Sequence, residues 1–153
     1  LTARHCLDSH TSYAIVPNEE PLWFLPARIT GIAANVDLAQ ITVQSPTLPA
    51  IDLVPLGKDP EVGDTVELSG WPVGQDKIIL PGSVRAPPTI QSVELWPIET
   101  EEAIMPGMSG SPVLCGGSVA LCGILTKMQY AHPTMGLMEP VSSLQWRGLR
   151  EIQ

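Results

Sequence analysis

The sequence predicts an all-β protein, and three observations carry the prediction. Short apolar and β-branched runs are separated by turn signals at close spacing, the pattern of a barrel or a sandwich. The 153 residues include 16 prolines and 13 glycines, a dense supply of residues that interrupt ladders and turn the chain. No segment before Ser142 repeats its apolar positions at a helical period. The length is that of a single domain and is enough to bury a sizeable apolar core.

Taken in order, Thr11 to Val16 reads as a strand, and Pro17-Asn18-Glu19-Glu20-Pro21 as the turn that ends it. Leu22 to Ile32 is a second, longer strand in which Pro26, lacking an N–H, limits pairing. Val36 to Val43 is a third, with Asp37 at its head. From Ser45 to Asp64, prolines at 46, 49, 55 and 60 and glycines at 57 and 63 mark a connecting segment. Beyond it, Thr65 to Ser69, Lys77 to Leu80, Ser83 to Ala86, Ile90 to Glu94, Gly110 to Leu114, Val119 to Thr126 and Met135 to Pro140 are short strand candidates. The tail from Ser142 to Arg150 is expected to form a short closing helix, capped by Ser142 or Ser143.

Composition excludes several functions. Charged residues are only 16% of the chain and the formal net charge is −8. Affinity for phosphate backbones comes from clustered Lys and Arg, and the eight here are dispersed, so nucleic acid is not an expected partner. No apolar run approaches the ~20 residues of a membrane helix, so no membrane is expected either. There is no H-E-x-x-H, no C-x-x-C pair and no zinc-ribbon spacing, so neither metal nor cofactor is implied. Three cysteines do not make a disulfide framework. Cys115 and Cys122 could meet across Gly116-Gly117-Ser118, but the balance favours reduced thiols and an intracellular setting.

The chemistry concentrates in Ile104-Met105-Pro106-Gly107-Met108-Ser109-Gly110-Ser111-Pro112-Val113. Glycines on either side of Ser109 let the backbone follow a partly left-handed path, so that successive amides can converge on one point. Such a point stabilises the oxyanion of acyl transfer, and the amides of Gly107 and Ser109 are placed to form it. Alone, a stretch of this composition reads first as a turn. Two upstream segments change that reading: Leu1-Thr2-Ala3-Arg4-His5-Cys6 supplies a histidine, and Asn35-Val36-Asp37-Leu38-Ala39 a carboxylate. A neutral imidazole takes the proton of a serine hydroxyl, and a carboxylate on its other nitrogen fixes the tautomer and stabilises the imidazolium. An α/β-hydrolase would run Ser, Asp, His and needs G-x-S-x-G, which fails because residue 111 is serine.

These pieces resemble the trypsin/chymotrypsin superfamily. Thr2-Ala3-Arg4-His5-Cys6 is similar to its T-A-A-H-C, Asp37-Leu38-Ala39 to its D-I-A, and Gly107 to Pro112 to its G-D-S-G-G-P. The order His, Asp, Ser is the family's, and the short spacings are similar to the compact bacterial V8-like and HtrA-like branch. Leu56-Gly57-Lys58, Val62 to Val66, Gly70-Trp71-Pro72 and Pro81 to Val84 extend the likeness over nearly the whole chain.

The resemblance implies two antiparallel β-barrels with the active site in the cleft between them. Residues 1–62 would form the N-terminal barrel carrying His5 and Asp37, and residues 63–153 the C-terminal barrel carrying Ser109. Because the family's histidine closes the third strand, the first barrel would lack its opening strands in this chain, and a further segment or chain is expected to supply them. The implied activity is that of a serine endopeptidase acting on polypeptide. His5 would be general base and then acid, Asp37 its orienter, Ser109 the nucleophile, and the amides of Gly107 and Ser109 the oxyanion hole. The competing expectation is a trypsin-like domain that is inactive as it stands and serves as a protein-binding or regulatory module.

Further residues take their meaning from the same likeness. Ala103 stands where trypsin has its acidic specificity residue, and Ile104 follows it. Gly123 to Met128 resembles G-I-V-S-W-G, so Thr126, Lys127 and Met128 are expected to line the substrate strand, with Met128 narrowing the mouth of a shallow, apolar pocket for small or medium aliphatic residues. Glu101 and Glu102 would overturn this if either turned inward. Met108 replaces the Asp or Asn of many members, which argues against activation by ion pairing with a new N-terminus. Cys115-Gly116-Gly117 is similar to the nucleophile of viral cysteine peptidases, but Val113 stands where their glycine is needed. His10 and His132 are read as surface residues, and Asp8, Asp52, Asp59, Asp64 and Asp76 as loop carboxylates.

Overall fold

A computed structural model describes residues 1–7, 13–15, 25–33, 36–43, 57–86, 95–117, 120–144 and 149–151. The chain divides into two compact units, one of Leu1–Leu53 with Gly148–Gln153 and one of Val54–Arg147. Both are built from antiparallel strands, and the only helical turns among the described residues are two short 3-10 segments.

Among the described residues, the first unit is a five-stranded sheet. It contains β1 (Thr2–Ala3), β2 (Tyr13–Ile15), β3 (Leu25–Ala33) and β4 (Leu38–Val43). The first 3-10 turn, Arg4–Cys6, follows β1 directly. β1 pairs with β4, β4 with β3, and β2 also joins β3. Pro26 sits on β3 opposite Ala14 of β2, within the ladder whose pairing it was expected to limit. Register places Ala3 opposite Leu38 and Thr2 opposite Ala39. Ala3 and Ala39 are fully buried, and Leu38 nearly so, which leaves no room for that register to slip.

The second unit is a closed six-stranded barrel. Its strands are β5 (Thr65–Gly70), β6 (Ile78–Val84), β7 (Trp96–Thr100), β8 (Pro112–Cys115), β9 (Ala120–Gln129) and β10 (His132–Pro140). They close in the order β10-β7-β6-β5-β8-β9. Leu68, Val84, Ile98, Val113, Leu125 and Met138 fill the interior. Val66 and Leu68 of β5, and Leu80 and Val84 of β6, are buried at even spacing, as strand geometry requires of one face, whereas β9 is buried continuously from Cys122 to Thr126.

Several expectations change. The two strands expected either side of Pro81-Gly82 are one continuous β6. Gly82 allows this because β7 passes so close that a Cβ there would lie 2.4 Å from the Glu99 carbonyl oxygen. β7 itself was not expected, since Pro97 masks its strand character; the strand expected at Ile90 to Glu94 and most of the connecting segment lie outside the described residues. The expected closing helix is not formed by the described residues of the tail. A 3-10 turn at Val141–Leu144 is followed by β11 (Leu149–Glu151), which pairs with β3 of the first unit. The reduced-thiol expectation is also corrected. Cys115 and Cys122 form a disulfide across the β8–β9 hairpin, with their Cα atoms 5.9 Å apart, a separation that suits a bridge. Cys6 takes part in no disulfide among the described residues.

Candidate active site

In the first unit, the 3-10 turn places His5 against the head of β4. The Arg4 amide donates to the Asp37 carbonyl at 3.1 Å, and the Leu7 amide closes the turn on the Arg4 carbonyl at 2.8 Å. The Asp37 carboxylate then holds His5 at two points. Its Oδ1 accepts the His5 main-chain N–H at 2.9 Å, and its Oδ2 lies 2.6 Å from the His5 Nδ1. An ionised carboxylate only accepts, so the proton belongs on Nδ1 and Nε2 is left as the basic nitrogen. The His5 side chain is 44% exposed and that of Asp37 18%. The imidazole thus remains accessible to a reaction partner while its orienting group is largely withdrawn from water.

In the second unit, Ser109 sits on the loop between β7 and β8. Gly107 and Gly110 take φ of 96° and 89°, the left-handed backbone that the two glycines were expected to supply. The Met108 amide donates to Met105, the Ser111 amide to Met108 and the Gly110 amide to Leu125 of β9, at 3.3, 3.1 and 2.7 Å. The amide of Gly107 has no acceptor among the described residues. A donor held in this way by its backbone is what an oxyanion site would use.

The remaining candidates divide by exposure. Ala103 is exposed, as are Glu101 and Glu102, so no acidic side chain of this segment turns into the unit. Ile104 is fully buried, and its Cδ1 lies 2.8 Å from where a Cβ on Gly136 would stand. Thr126 is also buried, donating through Oγ1 to the Leu137 carbonyl at 3.3 Å, while Lys127 is exposed and Met128 half-buried. Pairing of β9 with β8 ends at Ile124. On that side the last main-chain bonds are those of Leu125 with Gly110 and Ser111, whereas β10 continues beside β9 through Met128. Among the described residues, the Thr126 to Met128 edge therefore carries no ladder on the side of the Ser109 loop.

His132 is an exposed residue of β10, and His10 lies outside the described residues. Cys115, being disulfide-bonded, is not a thiolate nucleophile in this structure. Sequence reasoning gave no role to the loop after β5. Gly70 to Gln75 lies directly against the Ser109 loop: the Val73 amide donates to the Pro106 carbonyl at 3.0 Å, and Gln75 Nε2 to Met105 Sδ at 3.4 Å. The Pro106-Gly107 dipeptide was the available signal, because a glycine forced to positive φ is often one that another backbone approaches closely.

An antiparallel sheet followed by a closed six-stranded barrel, with histidine and aspartate on the first and serine on the second, is the chymotrypsin-like fold. The chain shares this fold with solved serine proteases. It matches the active form of the Rv3671c protease from M. tuberculosis at 18% identity and a TM-score of 0.76, over 99% of this chain and 69% of that one. It matches a serine endoprotease from Yersinia pestis at 21% identity and a TM-score of 0.71, over 92% of this chain and 48% of the other. It also matches the HtrA-type protease AlgW with a decapeptide, at 22% identity and a TM-score of 0.74, over 94% and 45%. The chain thus spans about half the length of the Yersinia pestis and AlgW structures. No protein-family model and no curated protein matches the sequence.

Proposed function

We propose that this chain is the catalytic part of a serine endopeptidase. The observation that carries the reading is the two-point hold of Asp37 on His5, which leaves Nε2 as the base. In the proposed reaction Ser109 Oγ attacks the scissile carbonyl carbon and its proton passes to His5 Nε2. The oxyanion is met by the amides of Gly107 and Ser109. The imidazolium then protonates the departing amine as the C–N bond breaks. Water, deprotonated by the same nitrogen, releases the acyl group and restores Ser109. The open edge of β9 at Thr126 to Met128 supports docking of an extended polypeptide by strand addition. The solvated positions of Glu101 and Glu102 and the methyl side chain of Ala103 support small or medium apolar residues before the scissile bond. A buried Lys or Arg would find no counter-charge from these residues.

The experiment is labelling with a fluorophosphonate, which reacts with an activated serine, followed by mapping of the modified peptide. Labelling at Ser109 that is lost in His5→Ala is the expected result. A folded protein that resists the probe under every condition would instead favour the binding or regulatory module.

A further inference from the structure

The loop that carries Ser109 needs something to hold its Gly107 amide outward, and where the resembled superfamily often has Asp or Asn before the serine this chain has Met108. The structure offers two other restraints, both within the second unit. The first is the bond from the Val73 amide to the Pro106 carbonyl, at 3.0 Å. A peptide unit is planar and trans, so its C=O and the following N–H point in opposite directions. Tying the Pro106 carbonyl to Val73 therefore directs the Gly107 N–H away from the 71–75 loop and toward its free side. Rotation of that peptide would break the bond and turn the donor inward. The fit is close: a Cβ on Gly107 would lie 2.7 Å from the Val73 nitrogen and 3.2 Å from the Trp71 carbonyl oxygen.

The second restraint is Met108 itself. It is fully buried, and its Cε lies 3.3 Å from the position a Cβ would take on Gly70. Gly70, the last residue of β5, thus leaves the space that the methionine fills, and Ser111 Oγ occupies the same side. The 71–75 loop grips the outer face of the nucleophile loop, while the barrel end holds its inner face by apolar burial. Neither restraint is ionic.

We infer that the Val73 main-chain amide is a positioning group for the oxyanion site, and that with buried Met108 it sets the loop without an ion pair at position 108. This rests on the peptidase reading above. Val73 touches no reacting atom; it acts through the Pro106–Gly107 peptide.

The test is Val73→Pro, which deletes the donor, beside Val73→Ala, which keeps it. Met108→Ala and the volume-conserving Met108→Leu test the second restraint. With a fluorogenic peptide, Val73→Pro and Met108→Ala should lower kcat by ~100-fold, the scale of a misplaced catalytic group, with KM changed little. The affinity for a peptide aldehyde, whose adduct places an oxyanion in the site, should fall in parallel. Val73→Ala and Met108→Leu should stay within about threefold of wild type, since neither removes a donor nor much volume.

Amide hydrogen exchange reads the restraint without turnover. The Val73 amide should be protected in the wild type, and residues Met105 to Ser111 should exchange faster in folded Val73→Pro and Met108→Ala. A wild type that resists fluorophosphonate but shows this exchange pattern removes the peptidase reading and leaves the two restraints standing. An unprotected Val73 amide in an active wild type, or wild-type kcat in Val73→Pro, overturns the inference.

Discussion

Replacing Gly107 by alanine should separate the proposed catalytic use of this glycine from its conformational cost. Two penalties act at the position. At φ 96° a residue with a Cβ carries backbone strain, on the order of 1–3 kcal/mol. The new methyl would also lie 2.7 Å from the Val73 nitrogen, 2.8 Å from Val73 Cγ2 and 3.2 Å from the Trp71 carbonyl oxygen. The valine methyl belongs to a side chain that is 75% exposed and can rotate away. The nitrogen and carbonyl are backbone and cannot. Restoring ordinary contact therefore moves the Gly107 peptide by about 0.8 Å, enough to break the bond to Pro106 and displace the oxyanion donor. Loss of one such donor lowers kcat by ~100- to 1,000-fold, or about 2.7–4 kcal/mol.

Gly63 provides the control. Its φ is 94°, but a Cβ there would meet nothing within 4 Å, so Gly63→Ala carries the strain without the displacement. Melting curves and steady-state hydrolysis of one fluorogenic peptide would be measured for both variants. Both should lose stability by similar strain, with Gly107→Ala losing more. Only Gly107→Ala should lose kcat, with KM nearly unchanged. If Gly107→Ala kept kcat within threefold of wild type, or Gly63→Ala lost as much activity, the assignment of Gly107 would be wrong.

Three other outcomes are expected. Ser109→Ala and His5→Ala should each remove activity by thousands-fold and should not compound in the double variant, because the groups act as one unit; Asp37→Asn should be nearly as harmful, and additive losses would contradict the assignment. Cleavage of a peptide library should show small or medium aliphatic residues before the scissile bond, and a dominant preference for Arg or Lys would refute the apolar pocket. Reducing the Cys115–Cys122 bridge should lower stability in urea by about 2.5 kcal/mol, the chain-entropy value for so short a loop, and an unchanged midpoint in reductant would show that the hairpin does not depend on it.

The sequence alone determined the class of structure and pointed to the groups proposed for the chemistry. Spaced turn signals, the absence of helical period and the ordered His5, Asp37 and Ser109 segments were readable because each is encoded within a few adjacent residues. The left-handed glycines at 107 and 110 belong to the same category, since φ is a local property and glycine is the residue that tolerates it. What only tertiary structure decided depends on partners far apart in the chain. β6 runs through Pro81-Gly82 because β7 needs the space where a side chain would be. The tail became β11 and not a helix because β3 offered it a ladder, and pairing outweighs the weak local preference of a short segment. Cys115 and Cys122 bridge because the β8–β9 register brings their Cα atoms within 5.9 Å. The hold of Val73 on Pro106 joins residues that no motif connects, through backbone atoms that every residue type shares. A main-chain hydrogen bond leaves no mark on side-chain identity, so only the folded barrel reveals it.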